Sequence, residues 1–308
     1  MAIILTGVAW GFWADLCCCP FFDSCRCCFG LRCLIWAIAI GSGKGGVGKT
    51  FLSVHLADRA VQQGKRVLLV DADLGLANVD VMLGITAPGN IQQVVDGQAQ
   101  LSDIVVTHRN GFDVLPGGSG LHELTHLSAM QQRLLLDEMN ALTCNYDLVL
   151  IDTAAGIGEN VLYFTSCAES VLIVLTPDPT SLTDAYALIK VLSRQRDVGK
   201  FMVAINQADE VQAQITFRRL LSVADRYLDV VLDFVGFMPE YNKVRAAIQS
   251  QQLLHNFSDS SRIDSLNQLL DSILAQPPCV RSGAGMQLFW QRALGNDLGY
   301  QSQTDLAV

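Results

Sequence analysis

The segment Gly43–Thr50 carries the residue types that bind the phosphates of a nucleotide. It matches the pattern G-x-x-x-x-G-K-[ST], in which the glycines let the backbone curl so that its N–H groups face phosphate oxygens. The ammonium of Lys49 supplies a charge for the β- and γ-phosphates, and the hydroxyl of Thr50 can ligate Mg²⁺. We expect the whole loop to contact the nucleotide: Gly43, Lys44, Gly45, Gly46, Val47, Gly48, Lys49 and Thr50.

Carboxylates follow two apolar runs elsewhere in the chain. Asp71 and Asp73 come just after one run, and Asp152 closes another. Ligands of open α/β sheets bind at the carboxyl ends of the strands. One carboxylate at such an edge can hold Mg²⁺ through water, and another can orient an attacking water molecule. Asp71 fits a solvated or capping aspartate as well as it fits a catalytic one.

The elements that must position these residues are short apolar strands alternating with helices. Apolar runs predict strands at Ile35–Ile40, Arg66–Val70, Phe112–Leu115, Asp147–Ile151, Val171–Leu175, Phe201–Ile205 and Val230–Phe237. Helices are predicted at Lys49–Gln63, Ser128–Leu142 and Ser181–Ser193. This alternation indicates an α/β fold, a doubly wound and mostly parallel sheet with helices on both faces.

The composition divides the chain into three parts. Residues 1–34 form a Cys-rich leader, which we expect to be disordered or not part of the natural protein; residues 35–275 form the nucleotide-binding domain, and residues 276–308 a linker and tail. Half of the residues are apolar and 17% are charged, as in globular proteins. The net charge of -9 argues against general binding to duplex DNA.

Lys44 is not required by an ordinary phosphate loop, and it cannot easily share phosphate oxygens with Lys49. The stretch SGKGGVGKT at 42–50 resembles the deviant phosphate loop of the MinD/ParA/nitrogenase-iron-protein ATPases, which are P-loop NTPases of the SIMIBI type. The resemblance implies ATP and Mg²⁺ as cofactors and an ATP-bound homodimer in which Lys44 reaches the nucleotide of the partner. It further implies that Lys44, Asp73 and Asp152 are catalytic: Asp152 is the Walker B carboxylate at the metal, and Asp73, in the first switch, positions water and joins Thr50 and Asp152 at the metal. Gly156 would belong to the second switch.

The base site is predicted by weaker signals. Asn206 ends a strand, and Asn206–Asp209 differs from the guanine-reading N-K-x-D motif by lacking its lysine, which disfavours GTP. The family resemblance implies that Asn206 contacts adenine, although Ala208 stands where the family often has Arg. Pro239 and Glu240 match its second base-flanking loop.

Three further stretches are more specific than the loop: 71–84, 183–192 and 225–236. They resemble the flagellar-number regulators of this family, the FlhG or FleN group. The resemblance implies a cytoplasmic ATPase that limits flagellar assembly, with an FlhF-type signal-recognition GTPase and a sigma-54-dependent flagellar activator as partners. That group carries an N-terminal Asp-Gln segment that stimulates the GTPase. Only Gly30–Leu31–Arg32 matches it here, so stimulation of the GTPase is not expected.

An amphipathic helix is predicted near the C-terminus, because Met286, Phe289, Trp290, Ala293 and Leu294 repeat at helical spacing. Its aromatic residues suit a bilayer interface, which would place the protein peripherally at the inner membrane or cell pole. Docking of this helix on its own domain explains the pattern as well.

Two other functions remain open from the residues alone. The Cys-rich leader contains Cys25 and Cys28 in C-x-x-C spacing, which would suit an iron–sulfur carrier ATPase of the same superfamily. A cell-division or plasmid-partition ATPase would share the same loop and carboxylates.

Overall fold

The computed structural model describes residues 36–73, 78–117, 129–240, 250–254 and 260–276. The leader at 1–34, the amphipathic helix at 286–294 and nearly all of the segment that joins it to the domain lie outside these residues. The predictions made for them therefore remain predictions.

The described chain alternates strands with helices from its first strand to its last helix. The strands are β1 (Trp36–Ser42), β2 (Val67–Ala72), β3 (Val106–Thr107), β4 (Asp113–Leu115), β5 (Leu148–Ala155), β6 (Ser170–Leu175), β7 (Lys200–Asn206) and β8 (Val231–Met238). The helices are α1 (Lys49–Gln62), α2 (Val79–Leu83), α3 (Ile91–Val95), α4 (Leu101–Ile104), α5 (Ala129–Thr143), α6 (Glu159–Cys167), α7 (Pro179–Arg196), α8 (Glu210–Tyr227) and α9 (Ser260–Leu274).

The strands form one sheet in the order β3-β4-β2-β5-β1-β6-β7-β8. Every neighbouring pair is parallel except β3 and β4 at the edge. The predicted doubly wound, mostly parallel sheet is thus confirmed. Strand β1 lies between β5 and β6, so the chain leaves the sheet centre at the switch point where such folds bind ligands.

Both faces of the sheet are covered, which explains why the strands read as apolar runs without alternation. One core cluster joins Ile38 and Ile40 of β1 to α1 and α9. A second cluster joins Phe201 and Ile205 of β7 to α7 and α8. Alternate residues of a strand face opposite clusters, so nearly every position of the central strands is apolar.

Six of the described helices have no counterpart among the predicted helices: the short α2, α3 and α4, and the longer α6, α8 and α9. The buried stripe of α8 consists of Ala213, Thr216, Leu220 and Ala224, only one of which is a large apolar residue. Burial nevertheless recurs at spacings of three and four along an otherwise polar helix, so α8 is amphipathic although most of its buried side chains are small. Helix α6 is only nine residues long and largely apolar, and periodicity alone does not separate such a run from a buried strand.

Asp71 holds the turn that leads from β2 to α2. It is fully buried, its Oδ1 accepts a hydrogen bond from the Asp73 backbone N–H at 3.0 Å, and its Oδ2 accepts from the N–H groups of Asn78 and Val79 at 3.2 Å. Burial, opposed by these hydrogen bonds and aided by the charge of Asp152, raises the pKa of Asp71 to about 7. Asp71 is thus a capping residue, which is one of the two roles its sequence allowed.

We expect Asp71 to make stability depend on pH. Its pKa is higher in the folded chain than the ordinary value of 3.8, so folding takes up a proton between pH 4 and 7. The contribution of Asp71 to the free energy of unfolding should be largest below this range and fall as pH rises through it, by about 1.4 kcal/mol per pH unit. Asp71→Asn should remove this slope in urea unfolding from pH 4 to 8, whereas Asp96→Asn, which changes an exposed carboxylate, should retain it. A slope that is the same in all three proteins would contradict the assignment.

Candidate functional site

The phosphate loop connects β1 to α1 and leaves the helix N-terminus open. Gly48 is the N-cap of α1 at φ 87°, and no side chain caps the helix there. The first N–H groups of a helix then remain available to an anion, which the helix dipole also favours. The backbone of Gly48 is in the left-handed region, where other residues are strained. A Cβ at this position would also overlap the side-chain amide of Asn206, so only glycine fits.

Gly43, at the start of the loop, packs against helix α7. It lies against the backbone of Asp184 and Ala185 in α7, so closely that a Cβ would overlap the Asp184 carbonyl group. Gly43 is therefore required for packing of the loop on α7. The other loop residues from Lys44 to Thr50 line the adjacent cavity.

A buried ion pair lies beneath the loop. The Lys49 ammonium is 2.8 Å from Oδ1 of Asp152, and the two side chains are 7% and 0% exposed. The parallel register of β1 and β5 places Asp152 opposite Ile40, two residues before β1 ends. The hydroxyl of Ser53, one turn after Lys49 on α1, is 3.0 Å from the same carboxylate oxygen.

The second oxygen of Asp152, Oδ2, is buried and has no hydrogen-bond partner among the described residues. Buried carboxylate oxygens are costly unless they are paired or coordinate a cation. Mg²⁺ is commonly held by one or two carboxylates together with hydroxyl, water and phosphate oxygens, and Thr50 lines the cavity above. The residues present therefore fit the Mg²⁺ that the sequence predicted.

Asp73 lies at the rim of the same cavity. Its backbone N–H is fixed by Asp71, and its Oδ2 accepts a hydrogen bond from the Asn78 side chain at 3.2 Å. The carboxylate is thus held at the start of the β2–α2 connection, at the edge of the sheet where the carboxyl-terminal half of β5 carries Asp152. Asp71 and Asp152 are in register on β2 and β5, which brings the two carboxylate sites together.

The base-site residues also line the cavity. Asn206 is the last residue of β7, and Pro239 and Glu240 directly follow β8. The amide Nδ2 of Asn206 donates to the carbonyl of Val47 at 2.7 Å, so this residue braces the phosphate loop. The carboxylate of Asp209 accepts from the Gln212 N–H and caps α8. Asp209 is therefore engaged in a helix cap at the position where a guanine-reading motif would use its aspartate.

Lys44 contacts α7 of its own chain in this structure. Its ammonium is 2.7 Å from Oδ2 of Asp178, the N-cap of α7, and it also hydrogen-bonds the Thr180 hydroxyl. Hydrogen bonding to Lys44 and then to Thr180 lowers the pKa of Asp178 to about 2. Both side chains are about two-fifths exposed, and an ion pair in contact with solvent restrains a side chain only weakly.

The cavity is larger than the predicted residues alone would form. Its volume is about 1110 Å³, which is ample for a nucleoside triphosphate. Gln251, Leu254 and Arg262 complete its wall from the last part of the chain. Sequence reasoning missed these residues because no motif marks them, and it missed Ser53 because a helical serine has no distinctive spacing.

The described residues contain neither a cluster of metal-ligating side chains nor a membrane-spanning helix. Within the described ranges, there is no group of three or more His, Cys, Asp or Glu side chains that could hold a metal ion. No helix in this part of the chain has the length and apolar character needed to cross a membrane.

Comparison with known proteins agrees with this geometry. A family model described as an AAA domain matches residues 36–205. The chain is 43% identical over 222 residues to the antiactivator FleN of Pseudomonas aeruginosa. The aligned region covers 72% of this chain and 79% of FleN. It is 32% identical over 262 residues to the flagellum site-determining protein YlxH of Helicobacter pylori, covering 83% and 89% of the two chains.

Solved structures share the fold. The septum site-determining protein MinD of Pyrococcus horikoshii, solved with Mg-ADP, superposes with a TM-score of 0.60 at 23% identity, covering 78% of this chain and 96% of that one. The chain therefore belongs to the MinD/ParA-type ATPases, in the branch that contains FleN and YlxH.

Proposed function

We propose that this chain regulates the number of flagella by cycling between an ATP-bound dimer and an ADP-bound monomer. The proposal rests on the observation that two lysines line one cavity. Lys49 lies beneath the phosphate loop, and Lys44 lies at the outer rim of the cavity. The similarity to FleN and YlxH favours flagellar regulation over an iron–sulfur carrier or a division or partition ATPase.

The residues of the site divide the work of ATP hydrolysis among them. Lys49 binds the β- and γ-phosphates, and Thr50 and Asp152 would hold Mg²⁺, Asp152 through Oδ2. When bound there, Mg²⁺ would neutralise charge on the phosphates. Asp73 orients the attacking water, and loss of the γ-phosphate then ends the signalling state.

Adenine is the base that the site suits best. Pro239 and Glu240 flank the cavity beyond Asn206, whose Oδ1 can accept a hydrogen bond from an amino group while its Nδ2 holds Val47. Asp209, which would have to read guanine, caps α8 instead.

Dimerisation requires Lys44 to leave Asp178 and contact the nucleotide of a second copy. Its exposure at the cavity rim makes this exchange accessible at low cost. By resemblance, the dimer acts on a sigma-54-dependent flagellar activator and cooperates with an FlhF-type GTPase. We place this activity in the cytoplasm, with peripheral contact at the inner membrane or cell pole through the C-terminal helix.

Lys49→Ala should abolish nucleotide binding, with a loss of at least about a hundredfold in affinity, because the phosphate charge is then unmatched. The same change leaves Asp152 buried without its cation and should destabilise the fold by about 3–5 kcal/mol. Lys49→Ala combined with Asp152→Asn should recover stability in thermal unfolding without recovering binding of a fluorescent ATP analogue. Tight binding by the double variant would disprove the assignment of Lys49.

Asp73→Ala should bind ATP and dimerise but lose about a hundredfold or more in turnover, since water is no longer oriented. Phosphate release measures turnover, and light scattering measures the dimer. Asp96→Ala, at an exposed site outside the cavity, serves as the control. Normal hydrolysis by Asp73→Ala would assign water positioning to another residue.

Lys44→Ala should bind a non-hydrolysable ATP analogue as the unmodified chain does, yet remain monomeric in size-exclusion chromatography with light scattering. Lys65→Ala, which removes another exposed lysine near the end of α1, should still dimerise. The sandwich arrangement fails if Lys44→Ala also dimerises.

Flagellar counts extend this test to the cell. A strain that lacks the gene should carry more flagella per cell, and the Lys65→Ala gene should restore the count while the Lys44→Ala gene should not. Unchanged flagellar number with defective division or plasmid segregation would instead indicate a division or partition ATPase.

A further inference from the structure

Ser53 occupies a position that the roles assigned so far do not explain. It is fully buried on α1, and its hydroxyl is 3.0 Å from Oδ1 of Asp152 and 3.0 Å from the carbonyl oxygen of Lys49. A hydroxyl has one hydrogen to donate, and a charged carboxylate forms the stronger bond. Ser53 is therefore a second donor to the oxygen that Lys49 contacts.

A second donor matters because Lys49 cannot serve two partners at full strength. In the proposed ATP complex, the Lys49 ammonium binds the phosphates and its hold on Asp152 weakens. Asp152 is 0% exposed, so water cannot replace the lost partner at Oδ1. A buried acceptor left without a donor is costly, and its carboxylate would be free to rotate.

We propose that Ser53 is a positioning residue that fixes the Asp152 carboxylate while Lys49 contacts the nucleotide. By holding Oδ1, it leaves Oδ2 as the oxygen that faces Mg²⁺ or its bound water. The arrangement follows from helical spacing, because residues four apart lie on one face of α1 and so reach the same carboxylate. This inference rests on the proposed function of the site.

The test is the effect of Mg²⁺ on nucleotide affinity in the full chain. Binding of a fluorescent ADP analogue is measured with Mg²⁺ and with EDTA, and the ratio of the two Kd values is the Mg²⁺ factor. Ser53→Ala should lower this factor about tenfold, equivalent to about 1.4 kcal/mol, with binding in EDTA unchanged. Ser53→Thr and Ser53→Val form a second pair that differs in the hydroxyl, and only Thr should keep the factor.

Thr216→Val is the matched control. Thr216 is also buried on a helix, and its hydroxyl donates to the Gln212 carbonyl one turn back. It lies far from the phosphate loop in sequence. Its Mg²⁺ factor should equal that of the unmodified chain. An unchanged factor in Ser53→Ala, or equal losses with Mg²⁺ and with EDTA, would overturn the role of Ser53. A factor of one in the unmodified chain would instead refute the Mg²⁺ site of the proposed function, and this inference with it.

Discussion

The buried pair of Lys49 and Asp152 is the constraint on which the rest of the site depends. Two charges withdrawn from water are stable only when each keeps a partner, so the phosphate loop, β5 and the start of α1 must hold one geometry. The loop brings the ammonium, and the strand brings the carboxylate to the same edge of the sheet. A nucleotide that attracts the ammonium alters the partners of both charges, and this links phosphate binding to the metal position.

The edge itself follows from the parallel sheet. Because β1, β2 and β5 run side by side in the same direction, their carboxyl ends deliver Lys49, Asp71 and Asp152 to one small region. Asp71 and Asp152 are fully buried there, whereas the phosphate loop lines the cavity. The two neighbouring aspartates differ in their partners. Asp71 accepts hydrogen bonds from three backbone N–H groups and holds a turn, whereas Asp152 forms an ion pair with Lys49.

Much of this could be predicted from the sequence because short range patterns determine it. Apolar runs located the long strands, and the spacing of Gly48, Lys49 and Thr50 located the loop. The approach of distant segments could not be predicted in this way. The packing of Gly43 on α7, the contact of Lys44 with Asp178 and the support of Val47 by Asn206 all join residues more than 130 positions apart. Helix α8 is amphipathic, so its spacing could have predicted it, although small residues form most of its buried stripe.

Gly43 has a mechanical consequence. With only a hydrogen atom separating the loop from the backbone of α7, there is no side chain between them to bend or change rotamer. The first residues of the loop and the second turn of the 18-residue helix α7 are therefore expected to move together. A small displacement of the loop when the γ-phosphate leaves would tilt α7 as a body and be enlarged at the far end of the helix. A remote surface of the protein would thereby register the state of the nucleotide.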